Sequence, residues 1–343
     1  MLHLATYFDK NYLNRGLVLY DSLKQHTAAF ELYVLCLDDF TFEYFQQRQA
    51  QYPEVKLLKL AALETQDTEL QQAKQNRSVI EYYFTLSPCL PLYLLKQFGL
   101  PHICTLDADI LFLDDPKPLF QYLDQYSIVI TPHKFSPEIQ ALERFGKYNV
   151  SFQIFKNDAA GIACLEHWRM QCIEWCGDVF DEKNNRFADQ KYLDAWTGLY
   201  TGKVRVLDDA VSGLALWNLN NFQLEKKDEK FYSNNERIIF YHFHHFKLLS
   251  SKWASNGLKN YRAKDQPAIA QLYLHYWNCL EDKNNALGFG RDQSRRSDLS
   301  GQLSAKLLNE LCVYYKLSRK KILLLNLYRM PNIAKRILLK IYA

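Results

Sequence analysis

The stretch that decides the fold is ICTLDADILFL, which runs from Ile103 to Leu113. An apolar run leads into two aspartates spaced i, i+2, and a second apolar run follows them. The first run predicts a short buried strand, because it is partly β-branched and follows a turn that contains glycine and proline. Residues i and i+2 of an extended segment face the same side about 6–7 Å apart. Asp107 and Asp109 are therefore predicted to lie side by side where the strand ends.

Two neighbouring carboxylates repel each other unless a positive charge lies between them. A hard divalent cation supplies that charge, and it also binds phosphate oxygens. The alternative is a surface turn that happens to contain two aspartates, since a bare D-x-D arises by chance about once in a chain of this length. The position of the pair at the exit of a strand favours the metal site.

Strands and helices alternate along the rest of the first 250 residues. Predicted strands at 3–8, 31–37 and 55–60 are separated by helices at about 13–25 and 41–51. This order predicts an α/β fold, a Rossmann-like and mostly parallel mixed sheet flanked by helices. Ligands bind beyond the carboxyl ends of such strands. Three predicted strand ends carry acidic residues there: Asp9, the Asp38-Asp39 pair and the D-x-D.

Composition limits the class of protein. The chain has 343 residues, of which 48% are hydrophobic and 15% aromatic, so it is a folded protein with a large core. The net charge is +4, but no acidic residue follows Glu310, and eight basic residues do. The remainder is mildly acidic, which argues against nucleic-acid binding. Eight cysteines without a C-x-x-C pair predict reduced core thiols in the cytosol, and we expect neither a signal peptide nor a spanning helix.

The C-terminal third differs from the part before it. The α/β alternation fades after about residue 255, residues 281–302 are polar and loop-like, and the last 40 residues have leucines at helical spacing. We expect a domain at 1–250 and a helical region at 251–343 with a basic amphipathic tail. The tail, 316–343, is predicted either to pack on the body or to bind the anionic inner face of the cell membrane as a peripheral contact.

Several segments together resemble one family. The D-x-D after a buried strand resembles the motif of nucleotide-sugar glycosyltransferases with the GT-A fold, and the ordered set of flanking segments is similar to bacterial members related to glycosyltransferase family 8. The similarity covers about residues 2–250. The flanking segments are 78–88, 130–134, 148–152, 187–193, 217–218 and 241–244.

The resemblance implies a metal-dependent transfer of a sugar from a nucleoside diphosphate. Asp107, Asp109 and a histidine would hold Mn²⁺ or Mg²⁺, with His242 as the first choice and His244 as the alternative. Asp189 and Gln190 would lie beside the transferred sugar, with Gln190 on the face of the anomeric carbon. The other implied donor-binding residues are Ala5, Thr6, Tyr7 and Asp9 at the first strand end, Ala108 within the D-x-D, and Arg77 and Lys247 facing the phosphates.

Two positions depart from the family pattern. Ser151 stands where the family usually has glycine, at a point where backbone and sugar come close. His245 also stands where glycine is common. Both departures fall close to the implied donor and metal site.

The expected function is therefore a transferase that uses a nucleoside-diphosphate sugar, foremost a UDP-sugar, and a glycan or lipid-linked acceptor in bacterial surface polysaccharide or lipopolysaccharide synthesis. Retention of configuration is inferred only by analogy. Two alternatives remain. One is a D-x-D phosphohydrolase, disfavoured because Leu111 occupies the fifth motif position. The other is a non-catalytic module that binds a nucleotide or a partner at its acidic edge.

Overall fold

The computed structural model of the chain describes residues 1–250, 252–288 and 313–325. Within them, seven strands form a central sheet, and smaller sheets lie beside it. The first eight strands in chain order are Leu2–Phe8 (β1), Phe30–Cys36 (β2), Val55–Lys59 (β3), His102–Leu106 (β4), Ile110–Phe112 (β5), Ile128–Pro132 (β6), Tyr148–Lys156 (β7) and Val204–Val206 (β8).

The central sheet has the spatial order β3-β2-β1-β4-β7-β6-β8. Strands β3, β2, β1 and β4 pair in parallel, β7 runs antiparallel to both β4 and β6, and β8 is parallel to β6. The predicted α/β class with a mostly parallel mixed sheet is confirmed. The carboxyl ends of β1, β2 and β4 lie at one edge, so the predicted acidic strand ends share that edge.

Helices cover both faces of the central sheet. One hydrophobic core includes Leu17 of the first helix, and the other includes Trp168 and Trp196 on the opposite face. The helices in chain order are Leu13–His26 (α1), Asp39–Gln46 (α2), Leu60–Gln66 (α3), Thr68–Ala73 (α4), Val79–Phe98 (α5), Lys117–Phe120 (α6), Ala159–Glu174 (α7), Trp196–Leu199 (α8) and Pro267–Ala286 (α9).

Helix α5 is continuous, although its sequence predicts a break or a kink at Pro88 and Pro91. It begins with a capping box, in which Ser78 and Glu81 satisfy each other's backbone N–H groups. A proline inside a helix removes one hydrogen bond and costs about 3 kcal/mol. Here both prolines are buried in the core beside the sheet, and burial of the helix offsets that cost.

The later strands form three small sheets. They are Leu214–Ala215 (β9), Leu224–Lys227 (β10), Lys230–Ser233 (β11), Glu236–Arg237 (β12), Phe240–His242 (β13), Lys247–Leu248 (β14), Trp253–Ser255 (β15), Val313–Ser318 (β16) and Lys321–Leu325 (β17). Their orders are β10-β11-β12, β5-β13-β9 and β14-β15-β16-β17. The small β5-β13-β9 sheet connects the D-x-D segment to the histidine segment.

The predicted helical C-terminal region is wrong in two places. Residues 281–286 belong to α9 and are not a loop, and residues 313–325 form the β16–β17 hairpin and not a helix. The hairpin extends the sheet of β15, with Tyr314 buried and its hydroxyl donating to Asp265. Paired aromatic residues favour a strand over the helix that leucine spacing suggests. The leucines at 303–311 and the residues from 326 onward lie outside the described residues.

Seven cysteines of the described residues carry free thiols, and all but Cys279 are buried. This is the arrangement that the lack of C-x-x-C spacing predicts. Among the described helices none is both long and apolar enough to cross a membrane.

Candidate active site

The two aspartates of the D-x-D lie in the tight turn between β4 and β5. The backbone N–H of Asp107 donates to the Ser151 carbonyl of the neighbouring strand at 3.0 Å, and the N–H of Ile110 donates back to the Asp107 carbonyl at 3.2 Å. The turn therefore begins where the pairing of β4 with β7 ends. It directs both carboxylates to the edge at which parallel α/β sheets bind ligands.

His242 completes a three-residue group at this edge. Strand β13 pairs antiparallel with β5 so that His242 lies opposite Ile110, next to the aspartates. Its Nε2 is 3.0 Å from Asp109 Oδ1 and 3.4 Å from Asp107 Oδ2. One ligand atom from each of the three residues lies within 4.8 Å of the others.

His244, the alternative ligand, has another partner. Its Nε2 is 3.1 Å from the hydroxyl of Tyr261. The geometry favours His242 as the third ligand. Carboxylate oxygens with one imidazole and no thiolate fit a divalent cation such as Mn²⁺ or Mg²⁺, so the chemistry of the donor set agrees with the implied metal.

The three side chains polarise one another. Burial opposes ionisation of Asp109, but the charge and hydrogen bond of His242 outweigh it and lower the pKa of Asp109 to about 2. Burial also opposes protonation of His242, but the two carboxylates outweigh it and raise the pKa of the imidazole. Without metal, the positive charge of protonated His242 therefore offsets part of the negative charge of Asp107 and Asp109. A bound cation would take the place of that proton.

Mn²⁺ affinity should consequently depend on pH. Below the raised pKa of His242 the metal must displace one proton, so the dissociation constant is expected to rise about tenfold for each unit by which the pH falls. Titration calorimetry with MnCl₂ between pH 6 and pH 8 measures this, and the heat in buffers of different ionisation enthalpy counts the released proton. An affinity that is constant across this range would contradict the assignment of His242.

A cavity of about 460 Å³ opens beside the metal-ligand group. This is the size range of small-molecule sites. Its walls are largely aromatic, and Trp217 lies at their centre, with ring centroids 5.0 Å from His133 and 5.4 Å from His242. The lining residues are Phe84, Asp107, His133, Phe135, Leu142, Phe145, Asn149, Val150, Ser151, Phe187, Ala188, Asp189, Gln190, Trp217, His242, His244 and Tyr261.

Several buried polar atoms of the cavity wall have no partner among the described residues. They are Nδ1 of His133, Nδ2 of Asn149, Oδ2 of Asp189, Nε1 of Trp217 and Nδ1 of His242. A buried polar group without a hydrogen bond costs about 1–3 kcal/mol, and such groups are rare in native proteins. A polar ligand bound in this cavity would supply the missing partners.

Asp189 and Gln190, the predicted sugar-contacting pair, both line this cavity. The structure thus brings them together with the metal-ligand group. Asp189 is 1% exposed, and burial raises its pKa to about 7. Its side chain does not cap the short helix that follows, so the capping role that aspartate often has there is excluded. The amide of Gln190 donates to the Phe145 carbonyl at 3.0 Å, which fixes its direction.

The predicted donor-binding residues of the first strand end differ in exposure. Ala5 and Thr6 are fully buried within the sheet, whereas Tyr7 and Asp9 are partly exposed. The Tyr7 hydroxyl donates to the Tyr83 carbonyl of α5 at 3.0 Å, and Asp9 accepts two hydrogen bonds from Asn11. Contact of this strand end with a nucleotide stays a prediction.

The two predicted phosphate-binding cations lie outside the cavity lining. The Arg77 guanidinium donates to the carbonyls of Cys172 and Ile173 at 3.4 and 3.0 Å. Carbonyls in the last turn of a helix lack intrahelical partners, so Arg77 caps α7 here, and its phosphate role stays a prediction. Lys247 is partly exposed in β14, and its phosphate role stays a prediction. Ala108 is buried within the D-x-D turn.

The two departures from the family pattern have structural explanations. His245 has a φ of +62°, in the left-handed region where glycine is favoured, so the backbone keeps the conformation that glycine would allow. Ser151 is 2% exposed, and its hydroxyl turns back to Asn149. Sequence reasoning assigned no function to His133, Asn149 or Tyr261. Aromatic and amide residues at these spacings are common in the cores of proteins, so nothing distinguished them as site residues.

The chain was compared with known proteins. It is 30% identical to the uncharacterized protein YfnD of Bacillus subtilis strain 168 over 276 residues, which span 80% of this chain and 87% of YfnD. The chain belongs to the YfnD family. It is also 28% identical to the uncharacterized YfnF of the same strain over 278 residues, which span 78% of this chain and 89% of YfnF. No family model matches the chain.

Solved structures show the same fold at low sequence identity. Mouse xyloside xylosyltransferase 1 in its apo form has a TM-score of 0.50 at 15% identity, over 71% of this chain and 97% of that one. The galactosyltransferase LgtC, solved with donor and acceptor sugar analogs, has a TM-score of 0.50 at 11% identity, over 82% of this chain and 96% of that one. The predicted GT-A fold is thereby confirmed, and the narrower resemblance to family 8 stays a prediction.

Proposed function

We propose that this protein is a metal-dependent glycosyltransferase that moves a sugar from a nucleoside-diphosphate sugar, foremost a UDP-sugar, to a glycan or lipid-linked acceptor. One observation carries the proposal. An Asp-Asp-His group suited to a divalent cation lies at the ligand-binding edge of a GT-A fold, against an aromatic cavity whose buried polar atoms lack partners. Aromatic walls with a few directed polar groups are typical of sites for small polar ligands.

The reaction breaks the bond between the anomeric carbon and the diphosphate oxygen. A bound Mn²⁺ or Mg²⁺ would stabilise the negative charge on the leaving diphosphate, held by Asp107, Asp109 and His242. Asp189, when ionised, would face the positive charge that develops on the sugar. Gln190 would lie beside the same ring, its amide held by the Phe145 carbonyl. The acceptor hydroxyl enters through the open side of the cavity.

A thermal-shift screen tests this proposal. UDP-, GDP- and CMP-sugars are each added with MnCl₂, and again with excess EDTA. A ligand at about a hundred times its dissociation constant stabilises the native state by about 2.7 kcal/mol, so a UDP-sugar is expected to raise the melting temperature by several degrees only when metal is present.

The other outcomes of the screen decide between the alternatives. A shift that is equal with EDTA would contradict the metal-dependent mechanism. No shift with any nucleotide would favour the non-catalytic module. Release of inorganic phosphate from the nucleotides would point to the phosphohydrolase.

We further propose that the enzyme works on the cytoplasmic face of the cell membrane in the synthesis of surface polysaccharide or lipopolysaccharide, bound there through its basic C-terminus. Two cations of the predicted tail are paired within the protein and do not serve this role. The Lys316 ammonium is buried against Glu281, and Arg319 pairs with Asp282. The cations that remain for a membrane contact are Lys320 and Lys321, which are exposed in the hairpin, and Arg329, Lys335, Arg336 and Lys340.

Removing residues 326–343 should therefore release the protein from anionic vesicles while leaving the hairpin in place. Flotation with vesicles of phosphatidylglycerol and phosphatidylcholine measures the bound fraction, and each cation near an anionic surface contributes about 1 kcal/mol. A matched control variant keeps the full length but carries Lys226→Ala and Lys230→Ala on the β10–β11 hairpin. Equal flotation of the truncated and full-length proteins would contradict the membrane contact.

A further inference from the structure

The amide of Asn149 is held in one direction by Ser151. Asn149 is 4% exposed and lines the cavity. Its Oδ1 lies 3.1 Å from the backbone N of Ser151 and 2.5 Å from the Ser151 hydroxyl. A backbone N–H can only donate, so the amide atom that faces it must be the oxygen. The direction of the amide therefore follows from the chemistry of the neighbouring groups.

The Nδ2 group of Asn149 consequently faces away from Ser151. It is buried and has no hydrogen-bond partner among the described residues. An amide N–H₂ has two protons to donate, and burying both without an acceptor is costly. An oxygen of a bound ligand would satisfy this group.

The ligand atom that lies there can be assigned from the metal-ligand group. The Ser151 carbonyl accepts the backbone N–H of Asp107 at 3.0 Å, so the Asn149–Ser151 segment lies directly against the first metal ligand. If the function proposed above is correct, the diphosphate is held at the metal. The group joined to that diphosphate, which is the transferred sugar, then lies beside Asn149.

We propose that Ser151 is a positioning residue that holds the Asn149 amide with its N–H₂ group toward the transferred sugar, where it donates to a hydroxyl or an N-acyl carbonyl oxygen. Glycine at this position would leave one hydrogen bond to Oδ1, from the backbone N–H. Serine supplies a second, from its hydroxyl, and so restricts rotation of the amide. The serine side chain turns back to Asn149 and adds no bulk to the cavity.

The test compares free nucleotide with nucleotide sugar. Affinities of UDP, GDP and their glucose, galactose and N-acetylglucosamine conjugates are measured by calorimetry with MnCl₂ for wild type, Asn149→Ala, Ser151→Ala, Ser151→Gly and the Asn149→Ala/Ser151→Ala double variant. Loss of one hydrogen bond weakens binding by about threefold to tenfold. We expect that loss for the nucleotide sugar alone, with affinity for the free nucleotide unchanged.

The double variant separates positioning from general structure. Because Ser151 acts through Asn149, Ser151→Ala should have no further effect once Asn149 is alanine. Ser233→Ala, a buried serine in β11 remote from the cavity, is the matched control and should leave every affinity unchanged. Ser151→Thr keeps a hydroxyl and should retain most of the sugar-dependent affinity.

The possible results separate failure of the positioning role of Ser151 from failure of the proposed function. Additive losses in the double variant, or equal losses for nucleotide and nucleotide sugar, would overturn the positioning role and leave the proposed function intact. Wild-type affinity for the nucleotide sugars in Asn149→Ala would do the same. If wild type binds none of the nucleotides with metal, the proposed function fails, and this inference fails with it.

Discussion

Asp109→Ala is expected to abolish both metal-dependent donor binding and sugar transfer. The side chain is only 14% exposed and makes the shortest contact to His242, at 3.0 Å. Removing it leaves the imidazole with one carboxylate and removes a charged oxygen ligand from the cation. Even indirect partners of metal ligands typically contribute ten- to a hundredfold to affinity or activity, so loss of a ligand should exceed about a hundredfold.

The measurements are Mn²⁺ binding by calorimetry and release of the nucleoside diphosphate with a UDP-sugar. Asp208→Ala is the matched control, because this aspartate is 72% exposed and forms an ion pair with Arg205, outside the cavity lining. It should retain wild-type metal affinity and turnover. Turnover by Asp109→Ala within a few-fold of wild type would remove the metal-ligand group from the mechanism.

Asp189→Asn is expected to lower activity and raise stability at the same time. Burial raises the pKa of this carboxyl to about 7, whereas in the unfolded chain it is near 3.9. Between these values the native state binds more protons than the unfolded state, so the free energy of unfolding falls as the pH rises through this window. Asparagine has nearly the same shape but does not ionise, so the variant does not lose this free energy of unfolding as the pH rises.

The variant should therefore gain stability relative to wild type between pH 5 and pH 8, by up to about 4 kcal/mol at the upper end. Urea unfolding at several pH values without metal measures the difference, and Asp208→Asn controls for a general effect of charge. Turnover should fall about a hundredfold or more, since the negative charge beside the sugar is lost. Unchanged stability across the pH range would show that the native carboxyl ionises normally.

Much of the fold could be predicted from the sequence, because the alternation of strands and helices depends largely on residues that are neighbours in the chain. The strand before Asp107 and the helices around it follow from apolar periodicity and turn residues. The continuous helix through Pro88 and Pro91 could not be predicted, because its stability comes from burial against distant parts of the chain. The helix predicted at residues 313–318 was wrong for a related reason. These residues form strand β16 by pairing with Trp253 and its neighbours on β15.

The residues of the candidate site also fall into those that could be predicted from the sequence and those that could not. A D-x-D at a strand end can be recognised locally, and the family resemblance added His242 and Asp189. The contacts of Arg77 with the carbonyls of α7 could not be predicted, because a cation near a helix start carries no information about which carbonyls lie opposite it. The role now given to Asn149 depends on an unpartnered buried atom, which only the three-dimensional structure reveals.

The three side chains of the metal-ligand group, Asp107, Asp109 and His242, come from a turn after β4 and from β13, which are far apart in the chain. A cation bound there is in effect a removable crosslink that closes a long loop. It can form only after the polypeptide has been synthesised and folded through β13, so an incomplete chain has no high-affinity metal site. By mass action the bound ion would also disfavour the state in which β13 is detached from β5, so chelation should raise hydrogen exchange at this sheet before any global unfolding.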